Sequence, residues 1–432
     1  MNLRVSNNLN LDGCDLVKLA LKYGTPLYVF SQGMIERRCR EIKEQFLNRH
    51  EGSHAYYASK AFLTLAMCQI IEKEGLGLDV VSGGELHLAL KASFPAERIV
   101  LHGNNKLRQE IEMAVESGVG RIVVDWEGEI DIIDEVSKIK GQKTPILLRV
   151  TPEVKAMTHK YIQTGHRGSK FGIPLERIPY VVKKTISLSN VELKGFHFHL
   201  GSQIDDYRTY LEAVDVITKL MSDLREGLGY TTEELDIGGG FGIGNGEGSL
   251  TKPISYFTDP AMERIKARCL TFGLPLPSVA IEPGRWITGE AGITLYTVGA
   301  IKEIPGSCTY VSVDGGMADN IRPALYGARY RAEVANKMGR DKDKIVTVAG
   351  RCCESGDILI EDLPVPGDIE PGDILAVFNT GAYSYSMASN YNMLPKPAVV
   401  FVDKGEDILV VERETYDDLL VKQRGIRSAL RV

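Results

Sequence analysis

Eight short runs rich in Val, Ile, Leu and aromatic residues, spaced fairly regularly between His54 and Gly284, constrain this 432-residue chain more than any other feature. They read HAYYASK from His54, LGLDVVS from Leu76, RIVLHG from Arg98, RIVVDW from Arg121, PILLRV from Pro145, LKGFHFHLG from Leu193, ELDIGGG from Glu234 and SVAIEPG from Ser278. Each has the length of a strand buried on both faces. Between them, stretches such as GGELHLALKASF from Gly83 and YLEAVDVITKLMSDLREGLG from Tyr210 return apolar residues at three- and four-residue steps, the period of an amphipathic helix. Strands alternating with helices predict an α/β architecture with a parallel sheet, and eight such units predict a (β/α)8 TIM-like barrel.

The rhythm changes near residue 290. The runs ITLYTVGAI, CTYVSVDGG, KIVTVAG, DILAVF, KPAVVFVD and DILVVERE follow with turns such as Pro371-Gly372 and no long helical spacer, which predicts an all-β C-terminal domain. The TPLYVF run before residue 31 is expected to add a strand to it. The predicted division is therefore residues 1–30 joining the β domain, 31–290 as the barrel and 291–432 as the β domain.

Composition narrows the partners. A net charge of −6, with Lys and Arg scattered along the chain, argues against nucleic acid or an acidic membrane surface. No run approaches the roughly 18 apolar residues of a membrane span, and MNLRVSNNLNLDG lacks the apolar centre of a signal peptide. Seven cysteines without metal-type spacing fit a reducing compartment, so a cytoplasmic protein is expected.

In a closed α/β barrel, chemistry gathers at the carboxyl ends of the strands. Five unusual motifs fall there: Lys60 after the first run, Asp79 with Ser82-Gly83-Gly84-Glu85 after the second, His199-Leu200-Gly201-Ser202-Gln203 after the sixth, Gly238-Gly239-Gly240 after the seventh, and Glu282-Pro283-Gly284-Arg285 after the eighth. Lys60 fits a solvated surface charge or an amine that condenses with an aldehyde. The glycines fit a tight turn or a nest of backbone N–H groups for a phosphate. His197 and His199 alternate with Phe196 and Phe198, and the pair fits a metal site or a ring stacked on a flat cofactor. No third ligand is evident in the sequence, which favours stacking by His199, leaves His197 as a core residue and predicts no metal. Glu282 ends an apolar run, where desolvation demands a partner such as a pyridinium nitrogen. Arg285 suits a carboxylate, a phosphate or a structural ion pair.

An amine, a stacking ring, a phosphate nest and a carboxylate together meet the needs of pyridoxal 5′-phosphate. In chain order, YASKAF, GLGLDVVSGGEL, YIQTGHRGSKFGI, HFHLGSQI, DIGGGFG, EPGR, ADNIRPALYG, CCESGDIL and NTGAYSYSMASNYN resemble diaminopimelate decarboxylases, fold type III enzymes of the alanine-racemase-like group. The resemblance spans nearly the whole chain. It implies that Lys60 holds the cofactor aldehyde with Asp79 orienting it, that His199 stacks on the ring, and that Glu282 meets the ring nitrogen. It also implies that Ser202, Gly239, Gly240, Gly284, Arg285 and Tyr383 contact the cofactor. Arg285, Arg322, Tyr326 and Tyr383 would grip an amino-acid substrate, Glu354 would face its distal ammonium, and Cys353 would return the proton, while Cys352 packs. The implied reaction converts meso-2,6-diaminopimelate to L-lysine and CO2, the last step of lysine biosynthesis. The alternative is a decarboxylase of the same fold acting on ornithine, arginine, carboxynorspermidine or a carrier-linked glutamate. The implied assembly is a homodimer with shared active sites.

Overall fold

The computed structural model describes residues 8–154, 168–244 and 250–426. Tyr161–Arg167 of the YIQTGHRGSKFGI motif lie outside the described residues. The chain divides into two compact units, one formed by residues 34–289 and the other by residues 1–33 with 290–432.

The first long strand, β1 (Leu27–Ser31), belongs to the second of these units. The next eight are β2 (His54–Ala58), β3 (Gly77–Val80), β4 (Ile99–Leu101), β5 (Arg121–Val124), β6 (Thr144–Thr151), β7 (Val191–His197), β8 (Glu234–Asp236) and β9 (Ser278–Ile281). All pair in parallel, β2 through β6 in sequence, then β6 with β7, β7 with β8, β8 with β9 and β9 back to β2, which closes the ring. The predicted barrel is thus present; six strands lie inside their predicted runs, while β6 extends one residue past its run at each end and β7 begins two residues before its run. Val100, Val123 and Leu147 form a buried cluster with Tyr56 packed against it, so side chains from β2, β4, β5 and β6 meet. Each fully buried aliphatic there contributes about 1.5–3 kcal/mol.

The helices follow their sequence period. In Arg208–Leu228 the buried positions are Tyr210, Ala213, Val214, Ile217, Thr218, Met221 and Leu224, a single stripe at three- and four-residue steps. Gly83–Lys91 starts at Ser82, whose hydroxyl accepts the Glu85 N–H at 3.2 Å.

In the second unit the later strands are β10 (Gly292–Glu303), β11 (Thr309–Val313), β12 (Ala332–Val334), β13 (Lys344–Ala349), β14 (Ile358–Val365), β15 (Ile374–Val377), β16 (Ala398–Asp403) and β17 (Glu406–Val411). The sheet order is β14-β13-β11-β10-β1-β16-β17, and β15 pairs with both β10 and β12. β1 lies between β10 and β16, antiparallel to the first and parallel to the second. Three elements depart from the sequence-based expectation. β12 is only three residues long, β14 carries Glu361, Asp362 and Pro364, and a short helix, Arg322–Tyr326, interrupts the strands. β14 ends the sheet order, and an edge strand tolerates a proline that an interior strand would reject.

Candidate active site

The barrel strands end in a cluster of ionisable groups. Lys60 sits in a single helical turn directly after β2, its side chain about one-third exposed, and its Nζ hydrogen-bonds Asp79 Oδ2 on the fully buried β3. The other Asp79 oxygen, Oδ1, is buried without a hydrogen bond.

Glu282 follows β9 and is 3% exposed. His197 Nε2 lies 3.2 Å from its Oε2 in hydrogen-bond geometry, and His102 Nε2 lies 2.6 Å from its Oε1 but out of line for a hydrogen bond. The two imidazoles meet edge to face, with centroids 4.8 Å apart. Burial opposes ionisation of Glu282, but the two imidazoles outweigh it and hold the carboxyl well below the usual range. Asp236 at the end of β8 goes the other way: burial, and then the negative charge of Glu282, push it well above the carboxylate range. Of two neighbouring buried acids, Glu282 is therefore the anion and Asp236 keeps its proton. Burial lowers His197 to about 4, against the pull of Glu282, so this imidazole is neutral.

His199 lies two residues past the end of β7, so the two histidines do not share one strand face as the alternation predicts. Its Nδ1 accepts the Gly239 N–H at 3.2 Å. Burial, followed by the positive charges of Lys60 and Arg149, drives its pKa well down and leaves an uncharged flat ring. The glycine turn beneath it tolerates no side chain. Gly240 has φ +93°, and a Cβ there would stand 2.0 Å from the Gly201 carbonyl oxygen, while one on Gly239 would stand 1.9 Å from the Glu282 carbonyl oxygen. Gly284 is packed against Ala58, and Arg285 opens a four-residue helix from which Nε and Nη2 reach Ser202 Oγ at 3.4 and 3.3 Å. The barrel thus brings Lys60, Asp79, His199, Ser202, Gly239, Gly240, Glu282, Gly284 and Arg285 to the carboxyl ends of its strands.

The remaining predicted residues belong to the second unit. Arg322 is 7% exposed, with its guanidinium 5.0 Å from the Tyr326 ring centre and 5.4 Å from that of Tyr383. Its Nε is buried without a hydrogen bond. Tyr383 holds φ +65°, a left-handed conformation costly for a side chain of this size, of the kind that clusters at functional sites. Cys353 is exposed in the bend after β13, where its N–H donates to Asn392 Oδ1 at 2.7 Å, and Cys352 is buried. Glu354 borders a cavity of about 570 Å³ lined also by Met317, Ile321, Ala324 and Tyr391.

Sequence reasoning missed His102 and Asp236, and with them the third ligand-type residue beside His197. The ligand atoms of His102, His197 and Glu282 all lie within 4.8 Å of one another. The 2.6 Å contact between His102 and Glu282 is closer than two ligands of one tetrahedral ion, which at about 2.0 Å each stand over 3 Å apart. The signal for His102 was its place at the end of the third run, the same rim position as the other motifs. Glu85 was noticed only as part of a motif; burial raises its carboxyl to about 7, although it accepts the Val81 N–H at 2.8 Å.

Pyridoxal 5′-phosphate can be tested against this set. A buried anion, Glu282, offers Oε1, an acceptor without a hydrogen bond among the described residues, as a cationic ring N–H requires. An amine stands at the rim, a neutral ring stands over a glycine turn, and a serine hydroxyl lies beside an arginine. The residues fit the group.

Comparison with known proteins agrees. The family described as pyridoxal-dependent decarboxylase, pyridoxal binding domain, matches residues 32–289. The diaminopimelate decarboxylase of Bacillus subtilis is 48% identical over 415 residues, covering 96% of this chain and 94% of that one. That of Mycobacterium tuberculosis is 42% identical over 418 residues, covering 94% and 93%. A crystal structure of the M. jannaschii diaminopimelate decarboxylase in complex with L-lysine superposes with a TM-score of 0.91 at 33% identity, covering 98% of this chain and 97% of that one. Barrel, rim chemistry and near-full-length similarity converge on one assignment: this chain belongs to the diaminopimelate decarboxylase family of pyridoxal-dependent decarboxylases.

Proposed function

We propose that the chain decarboxylates meso-2,6-diaminopimelate to L-lysine and CO2, using pyridoxal 5′-phosphate held at the carboxyl ends of the barrel strands. The observation that carries this reading is Glu282, a buried anion with an unfilled acceptor oxygen at the end of an apolar strand. When bound, the cofactor supplies an electron-accepting ring for the pair released as the Cα–carboxylate bond breaks. Lys60 supplies the tethering amine, and Asp79 beside it fixes its direction. Glu282 presents negative charge to the ring nitrogen and so favours a protonated ring. His199 offers its uncharged face. The Gly239-Gly240 turn, Ser202 and the Gly284-Arg285 helix start offer N–H, hydroxyl and guanidinium donors to the phosphate end, and Tyr383 adds a further cofactor contact.

At the substrate end, Arg322 with Tyr326 and Tyr383 binds a carboxylate, Arg285 assists, and Glu354 faces the distal ammonium. Cys353 returns a proton to Cα. Most cofactor groups lie in 31–290 and most substrate groups in 291–432, with Arg285 and Tyr383 serving both, and the strand within 1–30 serves the β domain. The family resemblance supports a homodimer in which the Cys353-Glu354 loop completes the partner's site. Seven free cysteines support a cytoplasmic location, and among the described residues no helix is long and apolar enough to cross a membrane. Relatives at 48% and 42% identity named diaminopimelate decarboxylase favour this substrate over ornithine, arginine, carboxynorspermidine or carrier-linked glutamate.

The test is a product assay with the cofactor-loaded chain across diaminopimelate, ornithine, arginine and lysine, together with borohydride reduction and peptide mapping. Lysine released from diaminopimelate and a label on Lys60 are expected. Preferential turnover of another amino acid overturns the substrate, and a missing label on Lys60 overturns the cofactor assignment.

A further inference from the structure

The reaction as proposed uses Glu282 but assigns no task to the two histidines beside it. Both are nearly inaccessible, at 4% exposure for His102 and 1% for His197, and they come from non-adjacent strands of the ring, after β4 and at the end of β7. They address different oxygens of one carboxylate, His102 at Oε1 and His197 at Oε2. An isolated carboxylate in such a site would take up a proton rather than stay charged. An imidazole set against each oxygen shifts that balance toward the anion.

We propose that His102 and His197 are positioning residues that clamp the two oxygens of Glu282, and so determine how firmly the chain keeps a proton on the cofactor's ring nitrogen. This inference rests on the cofactor assignment above. The remaining charged or titratable groups that act on the cluster are Asp236, Asp79, Arg149, Tyr56 and His199. Asp236 is the acid that keeps its proton, and its Oδ1 accepts the Gly238 N–H at 2.8 Å, tying the clamp to the glycine turn. Arg149 is held by Asp125 at 3.5 Å and lies over the Phe171 ring, so its charge is already engaged.

Both histidines face Glu282 through Nε2. Glutamine places an N–H near that atom, whereas asparagine ends short of it while keeping the site polar. The experiment compares His102→Gln, His102→Asn, His197→Gln and His197→Asn as cofactor-loaded enzymes. Three quantities are read: kcat and KM separately, the cofactor dissociation constant, and the pH at which the bound cofactor's visible band changes. The glutamine variants are expected to stay near wild type. The asparagine variants are expected to lose on the order of 10- to 100-fold in kcat with little change in KM, the equivalent of one hydrogen bond to a charged group. Their visible band is expected to change at lower pH, because a less anionic Glu282 releases the ring proton sooner. Equal behaviour of the Gln and Asn variants, or an unmoved spectral transition, overturns the clamp.

A second measurement needs no histidine variant. The infrared difference between the wild-type chain and Glu282→Gln, both freed of cofactor, is expected to show a carboxylate stretch and not that of a carboxylic acid. An acid stretch overturns the proposal even if the asparagine variants do not fold. Borohydride labelling of wild-type Lys60 is run alongside. A label with an unmoved transition refutes the clamp alone, and an absent label refutes the cofactor assignment itself.

Discussion

Asp319 offers a perturbation whose size can be worked out in advance. Its carboxyl is 4% exposed, accepts the Tyr296 hydroxyl at 2.5 Å and the Gly316 N–H at 2.9 Å, and lies three residues before Arg322. Burial raises it to about 7 from 3.8, against the two donors, with Asp357 and Asp314 adding to the rise. The folded chain therefore binds this proton more tightly than the unfolded chain does. Its stabilising contribution is complete below about pH 3.8 and is lost as pH rises through about 7. The displacement spans about three pH decades at about 1.4 kcal/mol each, or about 4 kcal/mol in all. Asparagine cannot ionise, yet its Oδ1 can still accept from Gly316. Asp319→Asn should therefore remove the pH dependence and leave a constant offset. The assay is the opening free energy of β10 and β11 amides by hydrogen exchange, for wild type and variant, at intervals from pH 5 to 8. Wild type should lose about 3 kcal/mol relative to the variant across that range. A difference that stays flat with pH refutes the reasoning.

Other expectations follow from the same geometry. Gly240→Ala forces a Cβ against the Gly201 carbonyl at positive φ and should destabilise the barrel by about 2–4 kcal/mol while raising the cofactor dissociation constant, as a thermal melt and a cofactor titration will show. Arg322→Ala should raise KM for diaminopimelate far more than it weakens cofactor binding; equal losses would make it a structural residue. Cys353→Ala should lower kcat with the Lys60 borohydride label intact, and an unchanged rate removes it from proton return. Mixing inactive Lys60→Ala chains with impaired Cys353→Ala chains should raise activity above that of either alone if sites are shared between subunits, and no recovery refutes that assembly.

The barrel was legible because its strands are buried on both faces and read as continuous apolar runs, a signal that survives in Arg121–Val124 or Thr144–Thr151 without any knowledge of neighbours. β14 was not, because an edge strand with Glu361, Asp362 and Pro364 carries the polarity of a loop. At the rim, Lys60, Asp79 and Glu282 announced themselves as charges ending apolar runs. His102 did the same after β4 and was passed over, because one histidine has no obvious meaning until Glu282 is seen 2.6 Å away across the ring of strands. The division of roles between Glu282 and Asp236 is further from the sequence still. Both are acids at strand ends, and only the two imidazoles beside Glu282 decide which one is charged.

The placement of β1 has a consequence for how the molecule is made. Leu27 pairs with Leu295 of β10 and with Ala398 of β16, so this early strand waits for partners synthesised far later. At about 5–20 residues per second, β10 follows β1 by roughly 13–50 s, long enough for the intervening barrel to be translated in full and to fold on its own. Until then β1 is an apolar strand with both edges open, the species most in need of a chaperone on the ribosome.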